Sequence, residues 1–169
     1  MNIEMSSVTT DGKPVLVEIE PNKLELDDDV ELDGNVNFIG RAFRGERGIH
    51  IEGTITAAAR LKCTRCGEPV ERQLKFDFAD IFVDSDDIET GTELEIGYDD
   101  LDVSPVSGGM INVNDIIREQ IILELPEQIF CRDDCKGLCH KCGENRNLID
   151  CSCDLDEVDP RWAALKNLN

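Results

Sequence analysis

Aromatic residues and long apolar runs are scarce in this 169-residue chain, and each shortage excludes a class of function. Aromatic side chains make up 5% of the sequence, too few to interleave with basic residues as base-stacking nucleic-acid surfaces require. No apolar run approaches the roughly 18 residues that a membrane-spanning helix needs. The stretch MNIEMSSVTTDGK at the N-terminus has neither a basic nor an apolar region, which predicts no signal peptide and a cytoplasmic protein.

Motifs of the common enzyme classes are also missing. The sequence contains no Walker loop, no G-x-S-x-G and no dinucleotide-binding fingerprint. The acidic tracts at 27–29 and 84–87 lack the spacing of a calcium loop, and the paired carboxylates follow no pattern typical of acid–base catalysis. The sequence therefore predicts that the protein is not an enzyme and has no catalytic residues.

Basic residues are scarce outside one stretch of the chain. Residues 41–75 carry 8 basic and 4 acidic residues, whereas residues 76–130 carry 1 basic and 15 acidic residues, and the net charge is −20. Such a charge repels polyanions at long range and favours basic partners, so nucleic-acid contact has to be local to the basic stretch. Its side chains near the first cysteine pair either form cross-strand ion pairs or contact phosphate, and they are Arg60, Lys62, Arg65, Arg72 and Lys75.

Alternation of apolar and polar residues predicts a β-rich first half. Residues 49–63 alternate over their whole length, and shorter alternating runs occur near 15–19 and 30–38. A helix is predicted between Asn112 or Asn114, which can cap it, and Pro126, which stops it. The predicted fold class is α+β: an antiparallel sheet or partly closed barrel, one packing helix and a C-terminal cysteine-rich zinc ribbon.

The predicted domain organisation has two parts. Residues 1–126 form the β-rich domain with its packing helix and the cysteine knuckle at 63–66. Residues 127–169 form a zinc-binding module that ends in a short helix, with Asp159 as its N-cap. Residues 84–110 are acidic and turn-rich, which indicates a solvated connection.

Eight cysteines occur as four close pairs. A C-x2-C-G turn can grip one metal ion with two thiolates, and structural zinc takes four. A reducing compartment counts against disulfides, so the sequence predicts two structural zinc ions. Pairs combine into two sites in three ways, of which the sequence-local way unites the last four cysteines. The pairs are Cys63 with Cys66, Cys131 with Cys135, Cys139 with Cys142, and Cys151 with Cys153.

Other interpretations of the cysteines remain open at this point. A thiol–disulfide oxidoreductase would use Cys63 and Cys66, although such dithiols sit between a strand and a helix, and this pair lies between two predicted strands. A metal-handling protein or an acidic decoy is another alternative. His140 lies inside the second knuckle and is predicted to be exposed, because eight thiolates leave no ligand missing.

Five segments in a characteristic order resemble the YceD family of large ribosomal RNA subunit accumulation proteins. They read LKCTRCGEPVERQL, DIIREQIILELP, CRDDCKGLCHKCGENRN, CSC and DPRWAALKNL. The resemblance implies a metal-binding protein that supports the accumulation or processing of large-subunit (23S) rRNA. With the segregation of charge along the chain, we expect contact with that rRNA, with a basic ribosomal protein, or with both. Similar proteins without the last four cysteines keep the first knuckle, which implies a site of Cys63, Cys66, Cys131 and Cys135. His140 departs from the proline that is more usual there.

Overall fold

The computed structural model of the protein describes residues 1–26, 30–87, 103–153 and 161. Packing divides the chain into a sheet unit, Met1–Leu61 with Val70–Glu127, and a cysteine unit, Lys62–Pro69 with Gln128–Asn169. The predicted domain boundary after residue 126 stays a prediction. The terminal helix predicted from Asp159, apart from Arg161, and the acidic residues 88–102 lie outside the described part of the chain.

The described residues form eight strands and one helix. In chain order these are β1 (Asn2–Glu4), β2 (Lys13–Ile19), β3 (Val30–Leu32), β4 (Val36–Arg44), β5 (Ile49–Lys62), β6 (Pro69–Asp84), β7 (Val103–Val106), β8 (Met110–Asn112) and α1 (Val113–Glu124). One sheet has the order β2-β4-β5-β6-β7, with β3 also paired to β5. A second, two-stranded sheet pairs β1 with β8. The cysteine knuckle lies between β5 and β6, as predicted.

The predicted alternation along β5 places one of its faces in the core. Ile51 and Ile55 are almost fully buried, and Gly53 between them lies opposite Gly40 of β4. A Cβ atom added to Gly53 would come 2.5 Å from the Cα of Gly40 and 2.7 Å from the ring of Phe38. The two glycines therefore make room for the Phe38 ring, because a close-packed interior has no space for both the ring and another side chain.

The large sheet is open, which corrects the prediction of a partly closed barrel. Among the described residues the main path of paired strands ends at β2 and β7, and β7 runs parallel to β6 instead of antiparallel. Each of these two end strands contains a proline, Pro14 in β2 and Pro105 in β7. Proline has no N–H to donate to a further strand, so β2 and β7 resist the pairing that would close a barrel.

Helix α1 confirms the predicted helix and its cap. The side-chain oxygen of Asn112 accepts from the backbone N–H of Asn114 at 3.1 Å, and its amide donates to Asp115 at 2.7 Å. The helix ends at Glu124, before Pro126. Its buried residues are Val113, Ile117 and Ile121. In the described ranges we find no helix with the length and apolar character needed to cross a membrane.

Candidate metal centres

The first cysteine cluster joins two distant segments of the cysteine unit. Cys63 and Cys66 belong to the turn after β5, whereas Cys131 and Cys135 follow the helix in the chain. Their four Sγ atoms all lie within 4.8 Å of one another. Cys63, Cys66 and Cys135 are at most 6% exposed, and Cys131 is exposed. The fold thus assembles four thiols from segments that are far apart in sequence.

The sulfur spacing of this cluster fits a tetrahedral metal ion. The Sγ atoms of Cys63 and Cys135 are 3.8 Å apart, and those of Cys66 and Cys131 are 3.6 Å apart. With zinc–sulfur bonds of about 2.3 Å, the edges of a regular tetrahedron are about 3.8 Å long. All eight cysteines are free thiols. The donor set and its spacing therefore match those of a structural zinc site.

The second cluster is built from one continuous segment. Cys139, Cys142, Cys151 and Cys153 also bring their Sγ atoms within 4.8 Å of one another. Cys139 is buried, Cys142 is exposed, and the other two are partly exposed. His140 is exposed, as predicted. This cluster needs no partner segment, but it leaves more of its sulfur accessible to solvent.

Both clusters contain the same turn, spelled CTRCGE in the first and CHKCGE in the second. In the first turn the N–H of Cys63 donates to the carbonyl of Glu68, and the N–H of Gly67 donates to the carbonyl of Cys63, both at 2.8 Å. The two equivalent bonds of the second turn are also 2.8 Å long. Gly67 and Gly143 each have φ of 75°, a left-handed conformation that glycine adopts without strain. The turn directs backbone N–H groups towards the first sulfur.

These N–H groups stabilise the ionised form of one cysteine in each turn. Burial acts to raise the pKa of Cys63, but hydrogen bonds from the backbone N–H groups of Cys131, Arg65 and Cys66 outweigh it and lower the pKa to about 6. Backbone N–H groups of its own turn likewise lower the pKa of Cys139 to about 6. Each cluster therefore holds a thiolate at neutral pH.

Two other thiols of the first cluster have raised pKa values instead. Burial, together with hydrogen bonds to the other thiols of the cluster, raises the pKa of Cys66 to about 12. Desolvation and the thiol of Cys135 also raise the pKa of Cys131. Crowded acidic groups cannot all ionise together unless a cation lies among them, so this cluster favours a bound metal ion.

The second cluster likewise combines one cysteine of lowered pKa with two of raised pKa. The hydrogen bond with the Cys142 thiol, followed by desolvation, raises the pKa of Cys153 to about 12. A hydrogen bond from the Cys153 N–H lowers the pKa of Cys151, but the thiol of Cys139 and desolvation outweigh it, and the net shift is upward. Two thiols in each cluster therefore stay protonated until a metal ion displaces their protons.

Arg65 holds the two segments of the first cluster together, which sequence reasoning missed. Its guanidinium donates to the carbonyl of Cys135 at 3.1 Å and lies 4.0 Å from the ring centre of Phe130. Its own carbonyl accepts from the N–H of Leu138 at 3.0 Å. No local sequence pattern predicts these contacts, because they depend on which distant segment packs against the turn. They give a residue predicted to contact phosphate a structural role as well.

A family model that matches more than half of the chain identifies its family. That model, "Large ribosomal RNA subunit accumulation protein YceD", covers residues 51–169, which include all eight cysteines. The chain belongs to the YceD family. It is also 30% identical over 154 residues to "Uncharacterized protein YlbN" of Bacillus subtilis, covering 89% of this chain and 84% of that protein.

Two further relatives connect the family to plastids and mycobacteria. The chain is 27% identical over 146 residues to the chloroplastic "Large ribosomal RNA subunit accumulation protein YCED homolog 1" of Arabidopsis thaliana, covering 74% of this chain and 46% of that protein. It is 32% identical over 120 residues to "Uncharacterized protein Rv2926c" of Mycobacterium tuberculosis, covering 70% of this chain and 54% of that protein. The chain thus spans about half the length of these two relatives. No solved structure matches it.

The five basic residues of this YceD-family chain that are predicted to contact phosphate have different surroundings. Arg60 on β5 forms an ion pair with Glu31, which lies directly opposite on β3, at 3.2 Å. This contact agrees with the cross-strand interpretation of that residue. Contact with nucleic acid stays a prediction for all five. Arg60, Arg72 and Lys75 belong to the sheet unit, and Lys62 and Arg65 to the cysteine unit.

Proposed function

We propose that this protein is a zinc-binding, non-enzymatic factor that supports the accumulation or processing of large-subunit (23S) rRNA. The observation that carries the proposal is a pair of four-thiol clusters in a member of the YceD family. A reducing compartment such as the cytoplasm suits eight free thiols. The two zinc ions are held by Cys63, Cys66, Cys131 and Cys135 in the first cluster and by Cys139, Cys142, Cys151 and Cys153 in the second.

Zinc is proposed over other metals because of the donor set. Four thiolates in a tetrahedron select zinc or iron, and zinc with four protein ligands has no open position for a substrate. The metal therefore supplies structure when bound. Elemental analysis of the purified chain should find two zinc ions per chain, and iron in their place would overturn the assignment.

The link to rRNA is supported by the name of the Arabidopsis thaliana relative and by the charge distribution. Basic residues concentrate in 41–75, and the acidic remainder suits a basic ribosomal protein. Among the predicted phosphate contacts, Lys62, Arg65, Arg72 and Lys75 all have exposed side chains, and Arg65 also donates to the carbonyl of Cys135. Phosphate contact by Lys62, Arg72 and Lys75 provides local affinity that the net charge otherwise opposes.

The experiment for this proposal is a pulldown of the tagged protein from cells, divided into nuclease-treated and untreated halves. Recovery of large-subunit precursor rRNA in the untreated half alone indicates direct RNA contact. Retention of one basic ribosomal protein after nuclease treatment assigns the function to the acidic surface. Recovery of neither contradicts a ribosomal role and leaves a zinc-stabilised domain.

Charge reversal distinguishes rRNA binding by the basic residues from protein binding by the acidic surface. Changing Lys62, Arg72 and Lys75 together to Glu should weaken rRNA recovery while two zinc ions per chain remain. The single change Lys75→Glu has a matched control in Lys23→Glu, which reverses an exposed lysine of the same unit, paired with Glu20 at 3.6 Å. An equal loss of rRNA in the control would show that only total charge matters.

One observation favours a thiol oxidoreductase as the alternative, namely the pKa of about 6 at Cys63. A nucleophilic thiol needs access to its substrate, but Cys63 is 3% exposed and two further thiols join its pair. Titration of the purified protein with a thiol reagent discriminates the two functions. All eight cysteines should stay blocked until a chelator is added, whereas fast reaction of Cys63 or Cys66 in the untreated protein would favour the oxidoreductase.

A further inference from the structure

A side chain from the second cluster's segment contacts a sulfur of the first cluster. Asn147 lies between Cys142 and Cys151, in the stretch that the second cluster closes at both ends. Its amide nitrogen donates to the Sγ of Cys135 at 3.4 Å. Its amide oxygen accepts from the backbone N–H of Lys136 at 2.8 Å. The orientation of this amide is therefore fixed from the side of the first cluster.

A second asparagine in the same stretch extends the connection to the first turn. The amide nitrogen of Asn145 donates to the carboxylate of Glu68 at 3.1 Å. Its amide oxygen accepts both the backbone N–H of Asn147 at 3.0 Å and the side-chain amide of Asn147 at 2.8 Å. Glu68 in turn accepts the N–H of Cys63 through its carbonyl. The two asparagines thus contact both halves of the first cluster.

The second cluster closes the stretch that carries these asparagines at both ends, and an antiparallel bridge between Leu138 and Asn145 also holds it. Its backbone bonds within the cysteine unit include Arg146 N–H to the Gly137 carbonyl and Leu148 N–H to the Asn145 carbonyl. Leu148 and Ile149 are 74% and 53% exposed, so apolar burial contributes little order there. An ion held at Cys139, Cys142, Cys151 and Cys153 would close the loop and reduce the entropy cost of placing Asn147.

We propose that Asn145 and Asn147 couple the two metal sites, so that an ion in the second cluster raises the affinity of the first. The proposal rests on the two-ion function proposed above. Asn147 acts as a positioning residue because it donates a hydrogen bond to a ligand sulfur and touches no ion. Groups in this position typically change metal affinity by about 10–100-fold. By linkage, an ion in the first cluster raises the affinity of the second by the same factor.

The test compares full-length variants loaded with two cadmium ions, whose NMR resonances report each site separately. Asn147→Ala should weaken the first site about tenfold and shift its resonance. Asn147→Asp has the same shape but no amide donor, so it should weaken the site at least as much. Asn35→Ala is the matched control, since Asn35 donates only within the sheet unit, to Glu18 at 2.8 Å. Circular dichroism verifies that each variant, including those without the second site, is folded.

A double-mutant cycle decides whether the coupling passes through Asn147. Changing Cys151 and Cys153 to Ser disables the second site, and this should also weaken the first site about tenfold. The same change made in the Asn147→Ala background should add little, because the connection is already broken. Additive effects, or an unchanged first site in Asn147→Ala, would overturn the coupling alone. Fewer than two ions per unmodified chain would overturn the proposed function together with the coupling.

Discussion

The two cysteine clusters use the same turn in opposite ways. The first turn finds its other two ligands 65 and 72 residues away, and three of its four cysteines are buried. The second turn finds its ligands within the same short segment, and one of its four cysteines is buried. A C-x2-C-G-E turn therefore defines half of a site, and the position of the other half decides whether a metal ion crosslinks the chain or closes a local loop.

Burial adds a second difference between the clusters. Buried thiolates exchange ligands with solvent species slowly, because a competing chelator has to reach the ion. The first cluster is therefore suited to a permanent role, and the second is suited to a more exchangeable one. This difference has measurable consequences that compare equivalent residues of the two turns.

The largest expected effect comes from removing the first cysteine of each turn. Cys63→Ser breaks a crosslink between distant segments, and a crosslink around a loop of this length contributes about 4 kcal/mol in the chain-entropy account. The melting temperature should fall by roughly 10 °C. Cys139→Ser opens a loop of only about 15 residues, which contributes about 3 kcal/mol in the same account, so its direct cost is smaller by about 1 kcal/mol. Calorimetry of both variants in the Asn147→Ala background, where the coupling between the sites is already broken, measures the contrast, and equal losses there would remove the distinction between the clusters.

Metal affinity should rise with pH in both clusters. Each cluster has two thiols with raised pKa, which release their protons when the metal binds. Protons compete with the metal, so affinity rises with pH, by about 100-fold per unit when two protons are displaced. The window runs from just above pH 6, where Cys63 and Cys139 have ionised, to the raised values. Calorimetry in two buffers counts the protons, and a count below two at either site contradicts this prediction.

Metal release should be biphasic. Fewer cysteines of the second cluster are buried, so it should lose its ion to a competing chelator before the first cluster does. The order can be followed with the two cadmium resonances during chelation. Loss of the first-cluster resonance before the second would mean that burial does not protect the ion.

The smallest effect concerns the glycines of the two turns. Ala at Gly67 or Gly143 has open space, since nothing lies within 4 Å of either added Cβ. The cost is therefore only that of a left-handed backbone, about 1 kcal/mol, and it should be equal at the two positions. Metal affinities of the two variants measure this cost. A large difference between them would show that the turns are not equivalent despite their matching hydrogen bonds.

Local sequence patterns were sufficient to predict the elements that are stabilised by contacts between residues close in sequence. The alternation of apolar and polar residues predicted β5. Asn112 and Pro126 predicted the two ends of α1, and the C-x2-C-G sequence predicted both turns. In each case the deciding interaction lies within a few residues of the signal. The second cluster belongs to the same class, since its ligands are neighbours in sequence.

Contacts between distant segments were not predictable in the same way. The parallel pairing of β7 depends on the path of the chain after β6, and alternation says nothing about strand direction. Arg65 and Asn147 each bond to Cys135, from segments on either side of it. Both are ordinary polar residues in sequence, and their roles follow from the tertiary fold alone.

The long span of the first cluster also determines how the chain responds to force. With a metal ion held by Cys63, Cys66, Cys131 and Cys135, tension applied at the two termini passes through metal–thiolate bonds. Residues 67–130, which contain β6, β7, β8 and α1, then lie outside the loaded path. A machine that pulls on either end of the chain has to break this metal centre before it can extend that part of the protein.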